Sequence, residues 1–461
     1  MKLIFDVSDK PKAGQLVVFA LQQMLAILAA TIAVPLIIGK GLTPAAAMFG
    51  AGVGTIVYIL FTKRKSPVFL GSSFAFLGSM AAAFAGGVSM QLGMLGLIVG
   101  AFLAGLVYVV IAIVVKFVGV GWLNKLMPAV VIGPTVAIIG LSLAGNAIGD
   151  LVKGDVTKQV TEYAVSTDSG TPEIIETVSN VPVGSSYVAL ICGLITLAVV
   201  MLCSTYGKKT LRLIPFIIGI LAGYAAAAIF TVIGNICDID ALKIVDFSVF
   251  SSYMLTDGSV SLKTFVSLPD FAFVSGLKGL KEFDFTYFAT IFVAYVPVAL
   301  VVFAEHVADH KNLSSIIDHD LLEEPGLTRT LLGDGVGSIA GALFGGCPNT
   351  TYGESVACVA ITGNASVVTI FAAAIGCMLF SFITPLVAFV DSIPACVMGG
   401  VCIALYGFIA VSGLKMIQDA NLDDNRNLFV VSVILIAGIG GLTLTFGDIT
   451  LTEVAAALIL G

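Results

Sequence analysis

The chain has 461 residues, of which 58% are hydrophobic and only 11% are charged, and its formal net charge is −7. A soluble globular protein carries about 25% charged residues, so this composition excludes a soluble fold and predicts an all-α, multi-spanning membrane protein. The negative net charge and the lack of basic runs argue against nucleic acid as a partner.

Apolar runs long enough to cross a bilayer recur along the whole chain, and hydropathy alone predicts roughly twelve to fourteen spans. Glycine and proline interrupt several of these runs, which makes the number of spans uncertain. In chain order the runs are Leu16–Gly39, Ala45–Phe61, Leu92–Val115, Pro128–Gly145, Val188–Cys203, Leu213–Ile233, Phe285–Ala304, Leu331–Phe344, Val367–Val390, Pro394–Ser412 and Leu428–Leu444.

The basic residues of the loops predict the orientation of the chain. Lys63–Lys65 and Lys208–Arg212 each follow an apolar run, and basic loops stay in the cytoplasm. By parity, the acidic segment Asn146–Ser186 is then an extracellular loop, and the N-terminus is cytoplasmic. The N-terminal segment has no signal-peptide pattern, so the first span is expected to start insertion.

Two pairs of similar segments indicate that the chain has two related halves. "PAVVIG" at Pro128 matches "PACVMG" at Pro394, and "SSFA" at Ser72–Ala75 resembles "TTYG" at Thr350–Gly353 with nearly the same spacing. Paired halves with broken apolar segments are typical of secondary transporters, whose substrate site lies where the broken helices meet.

A first candidate site is "VVFAEHVADHKN", which directly follows the apolar run that ends at Ala304. Glu305 and Asp309 are four residues apart and therefore share one helix face, whereas His306 is turned away. A carboxylate inside a membrane is costly unless it is paired or functional, so these groups are candidates for proton-coupled transport. The alternative is that the span ends at Ala304 and that these are boundary charges.

A second candidate site is the broken segment Gly345–Asn364, which reads "GGCPNTTYGESVACVAITGN". Its start favours an extended backbone that leads into a half-helix with Glu354 in the first turn. The free N–H groups of that turn can bind ligand carbonyls while Glu354 accepts ligand N–H groups. The alternative is a loop outside the membrane with Glu354 as a capping residue.

The counterpart in the first half is Ser66–Ser79, in which Phe74 or Phe76 could stack on a flat ligand. The extended pieces of the two halves are expected to pair as a short antiparallel ladder. Together these groups suit a small, planar, neutral ligand that carries both C=O and N–H groups. The eight cysteines form no CxxC pair and are expected to be buried free thiols rather than metal ligands or disulfides.

At these segments the sequence resembles the nucleobase–ascorbate transporter family, and most closely its uracil-transporting bacterial branch. "LGSSFAF", "EHVADHKN", "EEPGLTRTLLGDGVGS" and "PNTTYGE" occur in the order and spacing of the family, and the resemblance covers nearly the whole chain. It implies fourteen spans in two inverted seven-span repeats, with short antiparallel strands in broken spans 3 and 10. The core domain would comprise residues 1–125 and 285–391, and the gate domain would comprise residues 126–284 and 392–461.

The resemblance also implies roles for particular residues. Substrate would be bound by Glu305, Glu354, Phe74, Gly353, Ala30 and Tyr352. Asp309 and Glu305 would couple transport to protons, with no metal and no cofactor other than the coupling proton.

The chain departs from the pattern of the family at three places. Gln22-Gln23 stands where the family often has Gln-His, and Asp309 occupies the position of a proton-linked histidine in some members. In the family signature, Ser355 and Ala357 replace Asn and Gly. Glu354 stands where purine-transporting members tend to have Gln, which favours uracil.

The sequence thus predicts a proton-coupled uracil importer, expected to be a homodimer in the bacterial inner membrane, that works by sliding of the core domain against the gate domain. One alternative is a xanthine- or urate-type purine permease of the same family. Another is an anion transporter or channel of the same fold, although Glu305 and Glu354 would repel an anion. A membrane enzyme is the third class, and the three histidines show no paired metal spacing in its support.

Overall fold

The computed structural model describes residues 3–119, 128–166, 173–208, 210–255, 259–418, 420–446 and 449–461. In chain order the α-helices are α1 (Ala13–Ile38), α2 (Pro44–Phe61), α3 (Leu77–Ala82), α4 (Met90–Val118), α5 (Ala129–Ser142), α6 (Ala144–Leu151), α7 (Ser186–Tyr206), α8 (Thr210–Leu213), α9 (Pro215–Cys237), α10 (Ser248–Met254), α11 (Ala272–Gly276), α12 (Phe285–Ile317), α13 (Leu327–Gly345), α14 (Gly353–Thr362), α15 (Val367–Phe380), α16 (Thr384–Asp391), α17 (Ala395–Ile417), α18 (Asn425–Ile439) and α19 (Glu453–Leu460). Within the described ranges, eight helical segments are long and apolar enough to cross a membrane. The helical, multi-pass membrane class predicted from composition is therefore confirmed, while the number of spans and their inverted symmetry stay predictions.

Three pairs of strands accompany these helices, each pair antiparallel. The strands are β1 (Leu70–Ser72), β2 (Thr157–Ser166), β3 (Glu173–Pro182), β4 (Asn349–Thr351), β5 (Leu444–Phe446) and β6 (Ile449–Leu451). The pair β1–β4 joins the two broken segments, with Gly71 opposite Thr350. This pairing confirms the short antiparallel ladder that the sequence predicts between the halves.

Each strand of this ladder leads into a short helix. β1 continues through a 3-10 turn at Phe74–Phe76 into α3, and β4 continues through Tyr352 into α14. Because the strands run antiparallel, the two helices begin at opposite ends of the ladder and lead away from it in opposite directions. Further backbone bonds flank the ladder, from Ser73 N to Pro348 O at 2.9 Å and from Tyr352 N to Phe69 O at 3.2 Å. The non-helical backbone is thus satisfied inside the protein, as a membrane requires.

The ladder rests on a close contact between α2 and α13. Gly50 and Gly54 of α2 face Gly341 and Gly337 of α13, and each position leaves no room for a Cβ. The side-chain amide of Asn349, at the start of β4, donates to Gly50 O at 3.2 Å. Small residues let helix backbones approach closely in lipid, where packing rather than the hydrophobic effect drives association. This packing holds the second broken segment against α2.

Replacing Gly50 by Ala is expected to destabilise the fold by about 1–3 kcal/mol, as overpacking does. A Cβ at Gly50 would lie 2.4 Å from Gly341 O and 3.0 Å from Gly345 N, which are backbone atoms that cannot rotate away. The thermal unfolding midpoint of the purified protein in detergent measures the effect. The matched control is Gly407→Ala on α17, where a Cβ meets nothing within 4 Å. Equal midpoints for the two variants would contradict the packing argument.

A second close contact joins α5 and α17. A Cβ at Gly140 would lie 2.2 Å from Tyr406 O, and one at Gly413 would lie 2.5 Å from Gly133 O. These are the two helices whose "PAVVIG" and "PACVMG" starts match in the sequence. The predicted division into core and gate domains stays a prediction, and its first boundary, at residues 125–126, falls outside the described residues.

The structure bears on three expectations from the sequence. The segment predicted as a polar loop, 146–186, contains the end of α6 at Leu151 and the hairpin of β2 and β3. The helix α12 runs past Ala304 to Ile317, and where its membrane span ends stays a prediction. The cysteines are free, but Cys203 is only half-buried and Cys237 is exposed.

Candidate functional site

The long helix α12 separates its ionisable residues onto two faces. Glu305 and Asp309 line a cavity of about 360 Å³. His306 and His310 are fully buried on the other side of the helix, as the helical spacing predicts. Pro297 lies inside α12 about two turns before Glu305 without ending the helix. Glu305 therefore sits in the middle of a helix whose length exceeds a bilayer crossing.

The half-helix α14 brings the second predicted carboxylate to the same cavity. Gly353 and Glu354 begin this helix and line the cavity together with Glu305 and Asp309. Residues 305 and 354 are thus brought together as the sequence predicts. The alternative reading of Glu354 as a capping residue on an external loop is wrong, because the segment lies against α12 within the fold.

A smaller cavity of about 50 Å³ adjoins this meeting point and is shared by both broken segments. Phe74, Tyr352 and Gly353 line it beside the two glutamates. Phe74 packs edge-on against Tyr406 with ring centroids 5.9 Å apart. Of the two phenylalanines that the sequence left open, Phe74 is therefore the one at the cavity.

Phe76 has a different environment. Its ring stacks on Tyr295 of α12 with centroids 5.5 Å apart and an interplanar angle of 21°. Both residues are buried, so Phe76 holds α12 to the first broken segment instead of facing a ligand.

Asp309 is held by the strand β4. The hydroxyl of Thr351 donates to Asp309 Oδ2 at 2.8 Å. None of the ion pairs among the described residues involves Glu305, Asp309 or Glu354. Three carboxyl groups that form no ion pair suit a neutral ligand that donates hydrogen bonds, because unpaired buried charge is costly.

One buried hydroxyl group at the smaller cavity has no hydrogen-bond partner among the described residues. It is Ser73 Oγ, and Ser73 lines that cavity. Buried polar atoms normally have partners, so this hydroxyl group is available to a ligand or water. Sequence reasoning did not assign a role to Ser73, Thr350 or Thr351, although the hydroxyl pairs in "SSFA" and "TTYG" were the available signal.

Of the two remaining predicted site residues, Tyr352 lines the smaller cavity and Ala30 does not. The hydroxyl of Tyr352 donates to Ser72 O at 2.7 Å, and its ring lies 2.3 Å from where a Cβ on Gly71 would be. Glycine at position 71 is therefore required by the approach of the ring. Ala30 is buried in the apolar core and lines neither of these two cavities.

Two of the positions that depart from the family pattern contact each other. Gln23 Nε2 donates to Ser355 Oγ at 2.5 Å, and Ser355 Oγ also accepts from Phe69 N at 3.0 Å. Both side chains are buried. The bonds tie α1 and the entry to β1 to the first turn of α14, next to Glu354.

Behind the site, α12 is anchored by a buried polar network that sequence reasoning missed. His306 Nδ1 lies 2.7 Å from Asp334 Oδ2, and His306 Nε2 lies 3.1 Å from Thr330 Oγ1. Tyr58 OH lies 2.6 Å from His310 Nε2. These bonds fix the rotation of α12, so that Glu305 and Asp309 face the cavity. The described residues contain no group of three His, Cys, Asp or Glu side chains that could hold a metal ion.

Comparison with known proteins places this chain in a family. The family model described as "Permease family" (Xan_ur_permease) matches residues 14–179 and 169–446. The chain is 36% identical to the uracil permease of Bacillus caldolyticus over 465 residues, covering 100% of this chain and 93% of the relative. It is 33% identical to the uracil permease of Escherichia coli (strain K12) over 457 residues, covering 99% of this chain and 91% of the relative.

Solved structures with little sequence similarity share the fold. The transmembrane domain of the cyanobacterial bicarbonate transporter BicA matches with a TM-score of 0.62 at 13% identity, covering 98% of this chain and 100% of that chain. SLC26A9 matches with a TM-score of 0.61 at 12% identity, covering 98% of this chain and 65% of that chain. The full-length sequence matches show that this multi-pass membrane protein belongs to the permease family that includes the uracil permeases, the nucleobase–ascorbate transporters.

Proposed function

We propose that the protein is a proton-coupled uracil importer. The observation that carries this proposal is the meeting of Glu305 and Glu354 at one cavity, beside the crossing of two broken segments, in a chain related to uracil permeases. The relatives are named as permeases, which are transporters rather than enzymes.

In this proposal uracil binds between α12, α14 and Phe74. The carboxyl groups of Glu305 and Glu354 accept hydrogen bonds from the two N–H groups of the base. The unpaired N–H groups at the start of α14 donate to a ring carbonyl, helped by the positive end of the helix dipole. Phe74 packs against the ring, and Ala30 and Tyr352 support the strands from behind. Such a site recognises a flat, neutral molecule that carries both hydrogen-bond donors and acceptors.

In this proposal Glu305 and Asp309 bind the protons that are transported with uracil. Keeping three neighbouring carboxyl groups ionised without a cation is unfavourable, so proton binding and substrate binding favour the same occupied state. Proton binding and uracil binding then strengthen each other through a coupling free energy that acts equally in both directions. A proton gradient would therefore drive accumulation of uracil.

The movement in this proposal is a sliding of the core domain against the gate domain, in a fourteen-span, inverted-repeat dimer. The close α2–α13 and α5–α17 contacts support it, because each joins helices that the proposal assigns to the same domain. The basic residues at the ends of α2 and α7 support a cytoplasmic N-terminus in a bacterial inner membrane. In that orientation the larger cavity opens toward the cytoplasm.

Uptake of labelled uracil by the purified protein in liposomes tests the function. We expect accumulation when an inward proton gradient is imposed and loss of accumulation when a protonophore dissipates the gradient. Inhibition of uptake by unlabelled xanthine would support the purine-permease alternative. Inhibition by bicarbonate would support the anion-transporter alternative. Uracil uptake that is absent, or that is indifferent to the gradient, would overturn the proposal.

A further inference from the structure

The cavity that holds the three carboxyl groups is also lined by a cation. Arg212 of α8 lines it, together with the hydroxyl residues Ser204 and Ser412. Arg212 is the one Lys or Arg among the described lining residues. Its side chain is exposed, and it takes part in none of the ion pairs among the described residues. Glu305 and Glu354 also line the smaller cavity whereas Arg212 does not, so the carboxyl groups are called the acidic end and Arg212 the basic end of the larger cavity.

The size of the cavity exceeds what a nucleobase needs. Its volume of about 360 Å³ falls within the roughly 300–1,000 Å³ of pockets that hold drug-sized ligands, whereas uracil is a single six-membered ring. The cavity also has an apolar lining, which includes Phe216 of α9 and Leu405 of α17. A longer ligand could therefore place one end at Glu354 and the other end at Arg212.

The basic end faces the side that the basic loops mark as cytoplasmic. Arg212 lies between the end of α7 and the start of α9, and Ser412 lies in the last two turns of α17. Both residues are exposed, so the cavity opens there. A ligand that uses both ends would enter from the cytoplasm.

We infer that this cavity also binds a pyrimidine nucleoside monophosphate, with the base at Glu305 and Glu354 and the phosphate on Arg212. The inference rests on the proposed uracil site and adds a second ligand class to it. The nucleotide lacks the N1–H of the free base and so loses one donor to the carboxyl groups. Arginine compensates, because its planar guanidinium forms charge-assisted, bidentate hydrogen bonds with phosphate.

Binding of this nucleotide would make uracil uptake subject to inhibition by a product made from the imported base. A nucleotide that spans both ends binds only the state in which the cavity is open to the cytoplasm, and it shifts the population toward that state. The class of reaction that produces such a ligand is the attachment of a sugar phosphate to the imported base. Uptake would slow as the nucleotide accumulates.

Competition binding with the full-length protein in detergent tests the inference. Labelled uracil is displaced with uridine 5′-monophosphate, with uridine and with inorganic phosphate. We expect the monophosphate to displace uracil, uridine to be about tenfold weaker, and inorganic phosphate to have no effect. Arg212→Gln should weaken the monophosphate about tenfold, the loss expected for one charge-assisted contact, and should leave uracil affinity unchanged.

The matched control is Lys208→Gln, a nearby exposed cation that does not line the cavity. The inference is overturned if the monophosphate fails to displace uracil from protein that binds uracil. It is also overturned if the two variants weaken the monophosphate equally, or if inorganic phosphate displaces uracil as well as the nucleotide does, since general attraction of anions would then suffice. Failure of uracil itself to bind would instead contradict the proposed function, so the two failures are distinguishable.

Discussion

Replacing Glu305 by Ala is expected to lower uracil affinity by about 100-fold, which corresponds to ~3 kcal/mol. Glu305 lines both cavities and reaches the point where α12 meets α14 and Phe74. Its carboxyl group is the hydrogen-bond acceptor that α12 supplies to the base, and Ala cannot replace it. Equilibrium binding of labelled uracil to the purified variant measures the effect.

The control for Glu305→Ala is Glu323→Ala, because Glu323 is an exposed glutamate between α12 and α13. It should bind uracil with unchanged affinity. The unfolding midpoint of the Glu305 variant should not fall, since removing an unpaired carboxyl group from a cavity relieves a cost. A folded Glu305→Ala protein with normal uracil affinity would remove the basis of the proposed site.

Replacing Asp309 by Asn is expected to preserve binding and to abolish accumulation. The amide oxygen can still accept the hydrogen bond from Thr351 that Asp309 Oδ2 accepts at 2.8 Å, so the site keeps its shape. An amide does not titrate, so the proton no longer travels with the substrate. We expect uracil affinity within about threefold of the parent, because the hydrogen bond is retained and even its disturbance would cost only ~1 kcal/mol. The ratio of internal to external uracil concentration should fall to one.

Two transport modes in liposomes separate coupling from movement. Exchange of internal unlabelled uracil for external labelled uracil should continue in Asp309→Asn, whereas uptake driven by a proton gradient should stop. Asp423→Asn, at an exposed position between α17 and α18, should behave as the parent protein in both modes. Gradient-driven accumulation by Asp309→Asn would contradict the coupling role of Asp309 and would leave Glu305 as the one coupling residue.

Local patterns in the sequence were sufficient to predict much of the site. The spacing of Glu305 and Asp309 put them on one helix face, because the helix period is a local property. The glycine, proline and β-branched residues of the broken segments predicted extended backbone for the same kind of reason. The short ladder and the approach of Glu354 to Glu305 were predicted from the hypothesis that the chain has two related halves.

Other features depended on contacts between residues that are distant in the chain. Gln23 bonds to Ser355 across a separation of 332 residues, and Tyr58 meets His310 across 252 residues. Neither pair has a signal in one sequence, because a buried polar side chain looks like any other polar residue until its partner is placed. The stacking of Phe76 on Tyr295 likewise joins residues that are distant in the chain.

The sequence by itself was sufficient to predict a membrane protein, two broken apolar segments, and carboxyl groups that lie in or next to apolar segments. Those properties follow from hydropathy and from local backbone preferences, which each segment carries alone. Only the tertiary structure decided that His306 pairs with Asp334 and that Arg212 shares a cavity with Glu354. The physical reason is that close packing determines which helix faces meet, and close packing is a property of all the helices together.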